Sequence, residues 1–260
     1  MFDTGFYSTP VRDPMGLRYG AGVFGPEVEN RRLDDIRISL MNPSCDGPET
    51  VYSIAMDVGK MEHRKILEEM HLLYGAVVYA SGRLGDEPVR SQGHIHSLSA
   101  FSGLSTPEVY EIWTGEAIIY MQEYADDNPG RCFAVRAGEG EVVIVPPGWV
   151  HATINAGTDP NVPMSFGAWC VRDYGFDYKG IRAHGGIAWF PVFDKDGEIV
   201  WKKNPSYSDC ELTVKRPDRH PELGIVEGEP VYRTFEKNPD TFAYVVDPSL
   251  KEDAWRDYIP

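Results

Sequence analysis

Cysteine is scarce: four stand in 260 residues, and no two form a CxxC pair. Cys45, Cys132, Cys170 and Cys210 lie far apart, which argues against a zinc-ribbon spacing and for small apolar side chains in a reduced, cytoplasmic chain. No apolar run approaches a membrane span, so no helical anchor and no membrane partner is expected. The opening Met1-Phe2-Asp3-Thr4 lacks the basic and apolar regions of a signal peptide, which again points to the cytoplasm. Basic residues are few, with 25 Lys and Arg against 40 Asp and Glu and a formal charge of −15. Nucleic acid is thereby excluded as an expected partner, because phosphate backbones need Lys/Arg surfaces. The same charge repels small anions at long range, so an anionic substrate needs a local cluster of cations, hydroxyls and backbone N–H groups.

What the chain has is repeated β-strand signal. From Val89 to Ile199 short β-branched runs are separated by Gly, Pro, Asn and Asp, as in an all-β sandwich or barrel. The pattern predicts strands at 89–96, 108–113, 117–123, 131–136, 141–145, 151–155, 164–171, 187–193 and 199–203, the last two joined as a hairpin at Gly197. Residues 50–56 alternate as a further strand, with Tyr52, Ile54 and Met56 on one face, and 75–79 read as a buried strand. Residues 60–71 are rich in helix formers and predict a helix, on which His63 and His71 are exposed or edge residues. Arg31, Arg32 and Leu33 read as a short helix or a bend. Residues 1–30 are expected to form an N-terminal arm, its Phe2, Phe6, Tyr7 and Tyr19 packing on the barrel wall or a partner subunit. Residues 31–205 are then the barrel domain, and 206–260 an extension packed on the barrel or on a partner subunit.

The chemistry concentrates between Gly93 and Asn155. In a strand, His94 and His96 share a face, and so do Glu108 and Tyr110. Pro146-Pro147-Gly148 must turn, which leaves His151 at the start of the next strand. Three imidazoles and one carboxylate could converge inside a small barrel, a set suited to one divalent iron, manganese, nickel or zinc ion with positions open for substrate. On the residues alone, the set suits an iron-dependent dioxygenase as well as a metal-dependent isomerase, and a barrel of this kind can also bind a sugar without turning it over. His184 and His220 lie in loop surroundings, unpaired with this cluster.

Glu108 followed by Gly115, and Gly140-x5-Pro146-x-Gly148-x2-His151-x3-Asn155, resemble the paired motifs of the cupin superfamily. That resemblance implies a double-stranded β-helix, a jelly-roll barrel, here with a short helix and terminal extensions. The spacing between His96 and Glu108 exceeds the usual cupin spacing, so 97–106 must loop out at the barrel mouth. Adding Ser91-Gln92-Gly93-His94-Ile95-His96, Val145-Pro146-Pro147-Gly148-Trp149-Val150-His151 and Asp173-Tyr174-Gly175-Phe176-Asp177-Tyr178, the chain resembles the cupin-type phosphoglucose isomerases over about residues 30–205.

The narrower resemblance implies that His94, His96, Glu108 and His151 bind the metal and that glucose 6-phosphate and fructose 6-phosphate interconvert, a step of glycolysis and gluconeogenesis. Glu108 is the implied proton shuttle, with a metal-assisted hydride shift as the other route. Tyr110 orients the sugar or relays a proton. Tyr52, Ser91, the Gly93 backbone and Tyr178 are implied substrate contacts, and a homodimer is the implied assembly. The match departs at the phosphate end, where Ala76, Cys170 and Phe176 replace a threonine, a tyrosine and a histidine. These changes leave open a different or unphosphorylated sugar. Arg90, on the face of His94 and His96 if that strand is regular, is a candidate replacement cation, as are Lys179 and Arg182.

Overall fold

A computed structural model describes the chain apart from residues 1, 2, 6, 7, 13, 160 and 161, so Phe2, Phe6 and Tyr7 lie outside the described residues. The principal strands are, in chain order, β1 (Glu29–Arg32), β2 (Thr50–Ala55), β3 (Leu72–Tyr79), β4 (Glu108–Thr114), β5 (Glu116–Gln122), β6 (Cys132–Gly138), β7 (Val142–Val145), β8 (Val150–Asn155), β9 (Met164–Val171) and β10 (Leu212–Lys215). A six-stranded sheet runs β7-β4-β9-β3-β2-β1, and a four-stranded sheet runs β8-β5-β6-β10. Every neighbouring pair is antiparallel except β6 and β10, which are parallel. Between β4 and β9 the chain crosses from the six-stranded sheet to the other and back twice, closing a cupin jelly roll.

Alternation along each strand builds the interior. Leu73, Val77 and Tyr79 of β3, Tyr110 and Ile112 of β4 and Phe166 of β9 meet Ile119, Met121, Phe133 and Val135 of the second sheet in one core. The opposite faces are also covered. Tyr74, Val109, Trp113 and Trp169 pack against Tyr232 and Phe235 of the helix Val231–Lys237, and against Phe242 and Tyr244 just after it. Burying each aromatic of that size contributes about 2–3 kcal/mol, which fixes the last segment on the six-stranded sheet. Behind the smaller sheet, Ile118, Tyr120, Ala152 and Ile154 pack on Ile187, Phe190 and Tyr207. Gly167 permits a close approach inside the sheet: a Cβ there would lie 2.3 Å from both Trp113 and the Tyr74 hydroxyl.

Several expectations change at their edges. The strand expected at 89–96 is not regular: only Ile95–His96 is strand, while Arg90 and His94 make isolated bridges to Ile154 and His151. Gly93, at φ +92°, breaks the alternation there. The helix expected at 60–71 is a 3-10 turn, Met61–His63, followed by the α-helix Arg64–Glu69. The N-terminal arm contains a hairpin, Ser8–Arg12 with Met15–Tyr19, and the Tyr19 hydroxyl donates to the Pro26 carbonyl at 2.8 Å. The hairpin around Gly197 pairs Trp189–Phe193 with Ile199–Lys203. The short helix or bend read from Arg31 begins two residues later, as the helix Leu33–Ile36. All four cysteines are free thiols. Among the described residues, no helix is long and apolar enough to cross a membrane.

Candidate metal centre

β4 opens at Glu108, paired with Val145 across the sheet, and its inward positions are Glu108, Tyr110 and Ile112. β8 carries His151 on the facing sheet, reached through a turn in which Gly148 adopts φ +80°. His94 is held against it by two reciprocal backbone bonds, His94 N–H to His151 O at 3.1 Å and His151 N–H to His94 O at 3.0 Å. That narrow pair sets the rings side by side, with centroids 4.3 Å apart. His96, two residues on, stacks with His94 at 5.3 Å. One ligand atom from each of His94, His96, Glu108 and His151 falls within 4.8 Å of all the others.

The rings are pre-oriented for coordination. His96 Nδ1 lies 2.9 Å from the Thr106 carbonyl and His151 Nδ1 lies 3.2 Å from the Trp149 carbonyl, so in the neutral rings each Nδ1–H donates outward. The Nε2 lone pairs then face the centre, the arrangement that carbonyl partners impose on metal-binding histidines. Nε2 of His94 is buried with no hydrogen-bond partner among the described residues. Burial, with His151 and His96 adding repulsion, holds His94 well below the usual histidine range. His151 is also lowered, by burial first, although the Glu108 carboxylate pulls the other way. Burial would raise Glu108, but the adjoining His151 and His96 imidazoles outweigh it and keep the carboxyl well below its ordinary value. Glu108 Oε2 lies 3.3 Å from His96 Nε2 and 3.2 Å from His151 Nε2. Three imidazoles and one carboxylate, with the Nε2 atoms of His94 and His151 buried and without a hydrogen-bond partner among the described residues, fit a divalent ion of borderline softness.

Two further groups hold Glu108. The Tyr110 hydroxyl donates to Oε2 at 2.8 Å, and the Cys170 thiol donates to Oε1 at 3.2 Å. Burial, and then the Glu108 charge, raises both Tyr110 and Cys170 well above their ordinary values, so both remain proton donors. The long loop expected at 97–106 is present and tied down. Asp173 accepts from Ser99 Oγ at 2.9 Å and from the Ala100 N–H at 2.6 Å, and Ser105 Oγ bridges the His96 carbonyl and the Gly148 N–H. Its last turn thus delivers the Thr106 carbonyl that orients His96.

Tyr52, Ser91 and Tyr178 line the cavity in front of these donors. Arg90 does not reach it. Its guanidinium is wholly buried, on Glu87 at 2.7 Å and on the Ser91 and Ser39 carbonyls at 3.0 and 2.7 Å, because the strand is irregular before His94. Gly93 does not line the cavity either; a Cβ there would lie 2.9 Å from Ile187, so its part is to let the backbone pass. Arg182 stands behind the Tyr178 ring and bonds Gln92 at 3.0 Å, and Lys179 is likewise outside the cavity. Ala76 points to the outer core, and Gly75, Val77 and Tyr79 are the β3 residues at the cavity. Phe176 packs on His94 at 4.4 Å. His63 Nδ1 sits 3.2 Å from the Tyr232 hydroxyl, while His184 and His220 stack on Tyr207 and Tyr258, all away from the centre.

Sequence reading missed Arg31, Tyr79 and Tyr174, which also line the cavity. Tyr79 stacks on Tyr52 at 4.9 Å. Arg31 pairs with Tyr52 across β1 and β2, and reading 29–32 as a strand would have placed Glu29 and Arg31 together on the inner side.

Residues 40–209 match the model of the glucose-6-phosphate isomerase family. The chain is 31% identical over 205 residues to a glucose-6-phosphate isomerase of Thermococcus litoralis, covering 75% of this chain and 97% of that one. It is 30% identical over 201 residues to the enzyme of that name from Pyrococcus furiosus, covering 75% and 98%, and 31% identical over 201 residues to that from Sinorhizobium medicae, covering 77% of each. With the cupin barrel and the four clustered donors in place, the chain belongs to the glucose-6-phosphate isomerase family.

Proposed function

We propose that this protein is a metal-dependent aldose–ketose isomerase that interconverts glucose 6-phosphate and fructose 6-phosphate in the cytoplasm. The observation that carries the reading is the convergence of three histidine nitrogens and Glu108 within 4.8 Å at the floor of a tyrosine-lined cavity. His94, His96, Glu108 and His151 would hold one divalent cation, iron, manganese, nickel or zinc. Such a cation supplies charge that polarises the carbonyl and hydroxyl oxygens of a bound sugar.

The remaining chemistry belongs to the chain. Isomerisation removes a proton from the carbon beside the carbonyl and returns it to the neighbouring carbon. Glu108 is the carboxylate in reach, and it stays ionised, so it is the group that can take up that proton. Tyr110 and Cys170, each donating to one Glu108 oxygen, fix the plane in which that carboxylate works. Tyr110 stays protonated, so it orients the sugar or hands on a proton rather than acting as base. Tyr52, Ser91 and Tyr178 would contact the substrate along the wall. Conversion of fructose 6-phosphate by metal-loaded protein in D2O tests the reading: deuterium at C2 of the product supports the Glu108 shuttle, and conversion without it supports a hydride shift. No conversion with any of the four metals would sink the assignment. The proposal includes a homodimer, which sedimentation velocity can check against the 29.2 kDa chain mass.

A further inference from the structure

We infer that Arg31 is the residue that binds the anionic end of the substrate, a phosphate monoester on the sugar. The inference rests on the isomerase reading above for its substrate class, but its own support is local. Among the described residues lining the cavity, Arg31 is the one Lys or Arg. It forms no ion pair with a carboxylate among the described residues, and its Nε is buried without a hydrogen-bond partner. Antiparallel register fixes Arg31 opposite Tyr52, whose hydroxyl accepts a hydrogen bond from it, and Tyr178 lines the same cavity. Burial weakens the guanidinium's hold on its proton, yet the hydrogen bond with Tyr52 and the charge of Asp35 act the other way and the net shift is upward, so the cation persists.

A guanidinium in a cavity wall with an unused donor is costly to maintain unless an anion completes it. In a chain of net charge −15, this is also the local positive point that a dianionic ligand requires to enter at all. Glu29 shares the inner side of β1 with Arg31 but is exposed and makes no ion pair with it, so it does not occupy the guanidinium. Cys170 and Phe176, also in the wall, offer no charge that could take the role. The planar fork of Arg31 with the Tyr52 and Tyr178 hydroxyls matches three phosphate oxygens in chemistry.

The test compares full-length wild type, Arg31→Gln and Arg31→Lys, each metal-loaded and checked for an unchanged melting profile. Calorimetry would read binding of fructose 6-phosphate, fructose and inorganic phosphate, and kinetics would read KM and kcat. Arg31→Gln should weaken fructose 6-phosphate binding and raise KM by about 10- to 100-fold, as for loss of a charged hydrogen bond. Fructose binding should be unchanged, phosphate binding should vanish, and Arg31→Lys should restore part of the affinity. Equal fructose 6-phosphate affinity in wild type and Arg31→Gln overturns the inference, as does an equal loss for fructose. Wild-type protein that binds the sugar phosphate through Arg31 yet never converts it would uphold Arg31 and refute the isomerase reading. Wild type that turns it over with Arg31→Gln unimpaired would do the reverse.

Discussion

Glu111 sits on the outer face of the strand that carries Glu108 and Tyr110, and its titration sets a measurable slope on stability. The carboxyl has no solvent exposure; it accepts from the Val231 N–H at 2.8 Å and from Trp113 Nε1 at 3.2 Å. Burial dominates these bonds and pushes its pKa up to about 8 from 4.5. A raised carboxyl pKa means the folded chain keeps a proton that the unfolded chain releases, so stability falls as pH rises from 4.5 to about 8 and is level beyond. At about 1.4 kcal/mol for each pH unit, the loss between pH 5 and pH 8 is about 3–4 kcal/mol. Glu111→Gln removes the titration but leaves one of the two donors facing an amide NH2, which costs about 1 kcal/mol at low pH. Urea midpoints measured from pH 5 to 8.5 should therefore show the variant less stable at pH 5 and more stable at pH 8. Subtracting the two curves cancels the other titrating groups. A difference that stays constant across this range would refute the buried-neutral account of Glu111.

Two further substitutions probe packing and site geometry. Gly167→Ala places a Cβ 2.3 Å from Trp113 and the Tyr74 hydroxyl, and should destabilise by about 2–4 kcal/mol, read as a lowered urea midpoint; an unchanged midpoint would show that the two strands can separate at no cost. Cys170→Ala removes the thiol that donates to Glu108 Oε1, and should lower kcat about fivefold with KM little changed, while Cys170→Ser, which keeps a donor, should retain activity. Equal rates for all three proteins would show that Cys170 does not position Glu108.

The site was legible in the sequence where period-two alternation holds. His94 with His96, and Glu108 with Tyr110, meet because successive strand residues alternate faces, and the Pro146-Pro147-Gly148 turn delivers His151 to the opposite sheet. Where alternation is broken or masked, the reading failed. Gly93 twists the backbone before the ligands, so Arg90 turns into the protein rather than toward His94. β3 and β9 are buried on both faces, so they read as unbroken apolar runs. A one-residue slip in β3 then put Ala76, an outward residue, where Gly75 and Val77 face the cavity. The β-character of 29–32 is set by pairing with residues 50–54 rather than by its own polar sequence, which hid Arg31. The covering of Trp169 by Tyr232 and Phe235 is a contact across more than sixty positions, with no local signature.

The central claim is a four-residue metal centre that isomerises a sugar phosphate. The most direct measurement is turnover of fructose 6-phosphate to glucose 6-phosphate by stripped protein, by the same protein after adding Mn(II), Fe(II), Ni(II) or Zn(II), and by Glu108→Ala and His151→Ala under the same conditions. The account predicts negligible turnover without metal, recovery with at least one of the four, and none in either variant. Turnover that survives metal removal, or that persists in Glu108→Ala, would contradict it.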